Sequence, residues 1–319
     1  MRGHKLIMAI FCALIFIVPF QASAAKGGNW PGTRELSMRM KEAGRVVEAY
    51  RAAVSYQANS GNMVDREFVA GWIALRNLNR PDVALAHFKS MTSYIPLLRE
   101  GERNVARAKA GYWLGRTLEA QGRAKDAKIV YGAAMAYSTT YYGQLSASAA
   151  NVSISKAHVN QASGSFPVKD LYWHDQRARK ELVLAVIREE SRFKQTATSG
   201  KGARGMMQVM DGTARLVGKQ EGIKIDINQM KNNEAYNIAV GSRVLGDLMG
   251  EYKNTALALT AYNAGPLRTE EWLKRFGDPR GGQTDPVDWV ENIPFKETRE
   301  YVQKVMGSYI TYLTMSTTK

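Results

Sequence analysis

The stretch Ala185-Val-Ile-Arg-Glu-Glu-Ser-Arg-Phe193 decides how this chain is read. Stepped at about 100° per residue, its apolar positions fall on one stripe, as in an amphipathic helix. Glu190 lands on that stripe, between Val183, Val186 and Ile187, and Arg188 and Arg192 fall on the opposite, wet side. Burial disfavours the charged form of a carboxyl, so a glutamate placed there holds its proton to higher pH. An acid catalyst working near neutral pH needs that property. Position alone leaves a second role open, because a Glu at the edge of an apolar stripe also serves as an ion-pair partner. Glu189 lies toward the helix edge, within reach of Arg188 or Arg192.

Outward from this segment the chain keeps a helical pattern. Helices are expected over 180–193, from 213–217 onward, and over 237–252, 255–262 and 296–313. Gly and Pro clusters at 199–205, 264–266 and 277–286 mark loops. Residues 26–32 are a turn-rich leader, and 33–155 are again helical. Within them Trp72, Ala84 and Phe88 are echoed by Trp113, Ala127 and Tyr131, with the tryptophans 41 residues apart and the Ala-x-x-x-aromatic pairs 43 apart. That period suggests helical hairpins of the tetratricopeptide kind, in which small residues let paired helices pack closely. Two visible units fall short of the three or so that such arrays need, so this region is expected to lean on its neighbour. The polar stretch between about 152 and 170 marks the boundary. Alternating β-branched runs are missing, which argues against a sheet enzyme. The expected fold class is all-α: a signal peptide at 1–24, a helical-repeat region at 25–165, and a second helical domain at 166–319.

The start of the chain has its own composition. Arg2 and Lys5 precede an apolar run from Leu6 to Phe20, and Ala22-Ser-Ala24 follows. This is the order of a cleaved secretory signal with an A-x-A site, and the run is shorter than the ~20 residues of a spanning helix. No stable membrane insertion is expected after cleavage, and the destination is the periplasm. The single cysteine, Cys12, lies inside that run, so the remaining chain carries neither thiol nor disulfide. Net charge is +15, or +13 without Arg2 and Lys5. Such a surplus favours polyanions. Export and the lack of dense Lys/Arg blocks interleaved with aromatics argue against nucleic acid and leave an acidic wall polymer or anionic surface.

Several chemistries can be set aside. His87, His158 and His174 are scattered without H-E-x-x-H or comparable ligand spacing, so no metal or cofactor is expected. There is neither a G-x-S-x-G elbow nor a P-loop. Carboxylate chemistry at Glu190 remains. Two further segments suit a ligand cleft. Gly205-Met-Met-Gln-Val-Met210 follows the turn-like Ser199-Gly-Lys-Gly202; its glycines permit close backbone approach, and Gln208 has both donors and acceptors. Its methionines also suit core packing. Ala261-Tyr-Asn-Ala-Gly-Pro266 ends a helix with Tyr262 and Asn263 just ahead of a Gly-Pro stop.

Taken together these segments resemble the soluble lytic transglycosylases of bacterial cell walls, relatives of goose-type lysozymes. The order matches: Arg188-Glu-Glu-Ser191, Gly205-Met-Met-Gln208, Ala261 to Pro266, then Val290-Glu-Asn-Ile-Pro-Phe-Lys-Glu-Thr-Arg-Glu-Tyr-Val302. The resemblance spans about 171–315. Tyr112-Trp-Leu-Gly-Arg116 and Thr139-Thr-Tyr-Tyr-Gly-Gln-Leu145 are similar to the α-superhelical part of larger members. The resemblance implies a lysozyme-like helical domain and cleavage of the β-1,4 bond between N-acetylmuramic acid and N-acetylglucosamine, leaving 1,6-anhydromuramoyl ends. It implies Glu190 as sole acid/base. Ser199, Gln208 and Met210 would line the saccharide cleft, Tyr262 and Asn263 would position the reacting sugar, and Glu291 and Tyr301 would close the far side. The partner would be peptidoglycan, with the helical-repeat region open to a protein partner. Met206, Asp211 and Leu267 depart from the family pattern, which bears on fine specificity. A goose-lysozyme-like hydrolase and a non-catalytic wall-binding scaffold are the alternatives.

Overall fold

A computed structural model describes residues 29–57, 60–160, 165–171 and 175–317. The signal-like segment 1–24 with Cys12, and also His174, lie outside the described residues. The first group of helices is α1 (Trp30–Glu42), α2 (Val46–Ser55), α3 (Met63–Arg76), α4 (Pro81–Tyr94), α5 (Glu100–Ala120), α6 (Ala124–Ala134), α7 (Tyr141–Ala149) and α8 (Lys156–Asn160). The second is α9 (Lys180–Ser191), α10 (Asp211–Glu221), α11 (Ile227–Asn232), α12 (Glu234–Tyr252), α13 (Thr255–Ala264), α14 (Pro266–Phe276), α15 (Pro286–Asn292) and α16 (Lys296–Ser316). Among the described residues extended pairing is limited to isolated bridges, Thr198 with Arg204 and Arg204 with Val209. The all-α expectation is met. No helix of the described residues is long and apolar enough to cross a membrane.

Local chemistry sets the helix starts. Asn29, Asn233, Asn254 and Asp285 each accept a backbone N–H in the first turn of the helix that follows, satisfying donors with no intrahelical partner. Pro266 occupies the first turn of α14, where its missing N–H costs nothing. The Gly-Pro pair expected to stop a helix therefore also starts the next one. α14, α11 and α15 were not foreseen, and α9 ends at Ser191, two residues short of Phe193.

Two apolar cores organise the chain. One gathers the aromatic residues of α1–α7, with Trp72, Phe68, Phe88, Trp113 and Tyr131 all buried. α1 packs on α2, α3 on α4, and α5 on α6. Ala84 and Phe88 on α4, and Ala127 and Tyr131 on α6, are buried in successive pairs. Burying each large side chain contributes about 1.5–3 kcal/mol. The second core lies around α9, α12, α13 and α16 and takes in Met206 and Met207 from the loop after α9.

The seam between the cores is polar. Asp285 accepts from Arg76 Nη2 at 2.9 Å and from Arg116 Nη2 at 3.0 Å, while Asp288 accepts from Trp72 Nε1 at 2.8 Å. Gln144 Nε2 donates to the Gly307 carbonyl at 2.8 Å. A Cβ at Gly307 would lie 2.9 Å from the Tyr141 nitrogen, so α16 approaches α7 closely at this glycine. This contact holds α16, and the residues it carries, in place.

Candidate active site

Glu190 sits in the last turn of α9, over a helix whose Val183, Val186 and Ile187 are fully buried. The carboxyl is half-buried. Its pKa is pushed up to about 7, first by burial, with the charges of Glu297 and Glu189 adding to the rise and Tyr301 opposing it. The C-terminal end of a helix also disfavours a negative charge. The chain then turns sharply: Arg192 (φ 51) and Phe193 (φ 63) are both left-handed without being glycine. Strain of that kind is held only where the surroundings over-determine it. Here it leads the chain out of α9 just past the carboxyl.

Three elements surround Glu190. From α13, Tyr262 donates its hydroxyl to the Met207 carbonyl at 2.8 Å, and burial, then the nearby Glu190 charge, keeps the phenol neutral. From α16, the Tyr301 hydroxyl is buried without a hydrogen bond of regular geometry, but it lies near enough to Glu190 to favour its ionised form. Thr298 Oγ1 donates to Asn263 Oδ1 at 2.7 Å, tying α16 to α13.

The third element is the loop between α9 and α10, anchored by Asn237 of α12. That side chain is 0% exposed. It accepts from the Met207 N–H at 2.9 Å and donates to the Arg204 and Met230 carbonyls, each at 2.9 Å. Gly205 takes φ 74 directly over it, and a Cβ there would come within 2.3 Å of Asn237 Nδ2. Arg204 pairs with Asp211 at 2.8 Å, so the departure at 211 supplies an ion pair in the first turn of α10.

The expected site residues divide. Glu190, Tyr262 and Tyr301 come together. Asn263 joins them through Thr298. Met210 borders the loop with 42% of its surface exposed, unlike Met206 and Met207, which are core. Ser199 and Gln208 are loop braces. The Ser199 hydroxyl accepts from the Ala203 N–H at 3.0 Å, and the Gln208 amide nitrogen donates to the Ala197 and Gly205 carbonyls at 3.0 and 2.8 Å. What Gln208 can still present to a sugar is its carbonyl oxygen.

Glu291 corrects the expectation. It does not close the cleft: it is 0% exposed and sits in the seam. Lys109 Nζ lies 2.8 Å from Glu291 Oε1, Gln303 Nε2 donates to the same oxygen at 2.7 Å, and the Tyr142 hydroxyl donates as well. Burial pulls the Glu291 pKa up, but Lys109 and Arg299 outweigh it and hold the carboxyl below its ordinary value. A carboxylate so enclosed has no surface for a ligand. Arg188 is the second correction. It lies half-buried over the Phe166 ring at 4.2 Å and pairs with Glu189, which also accepts from Ser308 Oγ at 2.8 Å. Lys109, Tyr142, Asn237 and Thr298 had no assigned role; the hints were Tyr142 within the family-like stretch 139–145 and Thr298 within the 290–302 motif.

Residues 173–282 match the family model described as the transglycosylase SLT domain. The Val290–Val302 motif lies beyond the matched residues. The soluble lytic murein transglycosylase of Escherichia coli (strain K12) is 34% identical over 139 residues, which cover 43% of this chain and 21% of that protein. The match thus spans about a fifth of that relative's length. The lytic transglycosylase Slt of Pseudomonas aeruginosa, solved as an inactive mutant, has the same fold, with a TM-score of 0.66 at 22% identity over 88% of this chain and 56% of that one. The 70 kDa soluble lytic transglycosylase of Escherichia coli gives 0.56 at 18% identity, over 93% and 65% of the two chains. In its four motifs, in the family model matched over residues 173–282 and in its helical fold, the C-terminal part of this chain is similar to the transglycosylase SLT domain family.

Proposed function

We propose that the protein is a peptidoglycan lytic transglycosylase with Glu190 as its single acid/base. The observation that carries this reading is a half-buried carboxyl with a pKa of about 7, set among Tyr262, Tyr301 and a pinned loop. Such a group is protonated often enough near neutral pH to act as an acid and, once ionised, to act as a base.

The proposed reaction runs in two steps. Protonated Glu190 gives its proton to the glycosidic oxygen between N-acetylmuramic acid and N-acetylglucosamine, and the C1–O bond breaks. The electron deficiency at C1 is met by the substrate's own N-acetyl oxygen, as in substrate-assisted glycosidases. Glu190 carboxylate then takes the proton of the muramoyl 6-hydroxyl, whose oxygen attacks C1 and closes the 1,6-anhydro ring. An intramolecular nucleophile avoids the entropy of capturing water, and no second carboxylate is needed. Met210 would contact the glycan beside the loop, and Tyr262 and Asn263 would orient the reacting sugar. The net charge of +13 without Arg2 and Lys5 suits a wall whose peptide stems carry carboxylates.

The same reading takes residues 1–24 as an export signal, 25–165 as a helical-repeat region open to a protein partner, and 166–319 as the catalytic domain working in the periplasm. Mass spectrometry of fragments released from purified sacculi tests it. Anhydromuramoyl ends are expected from the wild type and none from Glu190→Gln. Reducing ends would instead indicate a hydrolase, and unchanged digestion by the variant would remove Glu190 from the chemistry.

A further inference from the structure

The buried group at the seam takes its members from both cores. Lys109 on α5 and Tyr142 on α7 stand on one side, and Glu291 on α15 with Arg299 and Gln303 on α16 on the other. The Lys109 ammonium is held from behind by the Phe68 ring, 3.4 Å from its centroid. Arg299 Nη1 donates to the Ile293 carbonyl at 2.7 Å, with its Nε 3.9 Å from Glu291 Oε2. The first turns of α16 therefore face two ways. Thr298 and Tyr301, three residues apart, meet Asn263 and Glu190. Arg299 and Gln303, four apart, hold Glu291.

We infer that Lys109 and Tyr142 are positioning residues for the reaction at Glu190, acting across the seam through Glu291 and the start of α16. The inference rests on the reading of Glu190 as the acid/base. A carboxylate enclosed like Glu291 cannot stay charged without a partner. With Lys109 gone, Glu291 takes up a proton or draws Arg299 toward it and off the Ile293 carbonyl, and either change displaces the first turns of α16. Tyr301 then leaves the Glu190 carboxyl. The charged and titratable groups facing that carboxyl are Glu189 on its own helix, Glu297 and Tyr301 on α16, and Tyr262 on α13. Of these only Tyr301 favours the ionised form. Its displacement makes Glu190 a weaker acid and moves the bond-breaking geometry off register.

The test uses the full chain with Lys109→Met, Tyr142→Phe, Lys109→Arg and the pair Lys109→Met/Glu291→Gln, set beside Tyr301→Phe. Three readouts are taken: turnover of purified glycan strands against pH, direct titration of the Glu190 carboxyl by ¹³C NMR, and thermal unfolding. Lys109→Met should lower kcat about 10- to 100-fold with KM little changed, and should move the Glu190 midpoint upward, as Tyr301→Phe does. Tyr142→Phe should shift it the same way by less. Lys109→Arg and the double variant should return both values toward wild type. If the variants lose stability while Glu190 titrates at the wild-type midpoint and kcat per folded molecule is unchanged, the seam is structural only and the inference is overturned. Where Lys109→Met fails to fold, the Tyr142→Phe midpoint decides. The NMR titration needs no turnover, so a wild type that cleaves no wall defeats the proposed activity and leaves this inference to be judged by the titration.

Discussion

The Tyr262 hydroxyl donates to the main-chain carbonyl of Met207 across 2.8 Å, fastening the end of α13 to the loop that faces Glu190. Met207 is itself buried, so the carbonyl has no easy route to water. Tyr262→Phe removes the donor and leaves that acceptor unpaired, a loss of about 1–3 kcal/mol. The expected result is a lower unfolding midpoint in urea with wall-digesting activity reduced at least in proportion. A variant with wild-type stability and rate would show that the bond contributes nothing.

Glu190 should impose one pH limb on the rate. The acid form is the one that starts the reaction, so activity is full below a pH of about 7 and declines above it. Stability also falls as pH rises, over a lower range. The unfolded chain releases this proton near the ordinary value of 4.5, while the folded protein keeps it to about 7. Between those values unfolding releases a proton, and stability falls as pH rises, by on the order of 1–3 kcal/mol in all. Glu190→Gln has no such slope. Its melting temperature should exceed that of the wild type at pH 8, and the gap should close by pH 4.

Gly205→Ala should be severe. The position has φ 74, and the new methyl would meet Asn237 at 2.3 Å. Displacing that amide breaks three hydrogen bonds from a fully buried side chain, a loss of about 2–4 kcal/mol. Chemical denaturation of Gly205→Ala beside Asn237→Ala checks this: the two should be similarly destabilised, and the double variant far less than additive.

Asp285 accepts from both Arg76 and Arg116 and also caps α15. Burial pushes its carboxyl up, but Arg116 and Arg76 outweigh that and bring it below the ordinary 3.8. A carboxylate lowered this way adds stability above 3.8 that is lost as pH falls through its folded value. Asp285→Asn keeps a capping oxygen and loses the charge. It should melt lower than wild type at pH 7, by about 1–3 kcal/mol in unfolding free energy, with the difference shrinking below pH 3.8.

The parts legible in the chain were those that local pattern controls. The apolar spacing of 183–190 placed Glu190 correctly because a helix converts spacing into facing. Tyr262 and Asn263 were visible as a polar pair closing an apolar helix. Arg188 was misread because its guanidinium sits over the ring of Phe166, a residue outside its own helix. Glu291 was misread for a related reason: its partners Lys109 and Tyr142 are far away in sequence, and no local period records a contact of that range. Ser199 and Gln208 showed the right chemistry for a sugar, but the turn around them needed the same donors and acceptors. α14 was hidden because Gly265-Pro266 closes one helix and opens another with no residue to spare.

Asn237 fixes carbonyls and an N–H from positions 204, 207 and 230 with a single amide. A wall secured at its centre in this way is not a lid. In the proposed reading a glycan strand would meet it already in this shape, so binding would freeze out little motion there. Selection between one strand and another then depends on how well each fits a rigid mould, not on whether it can trigger a closing movement.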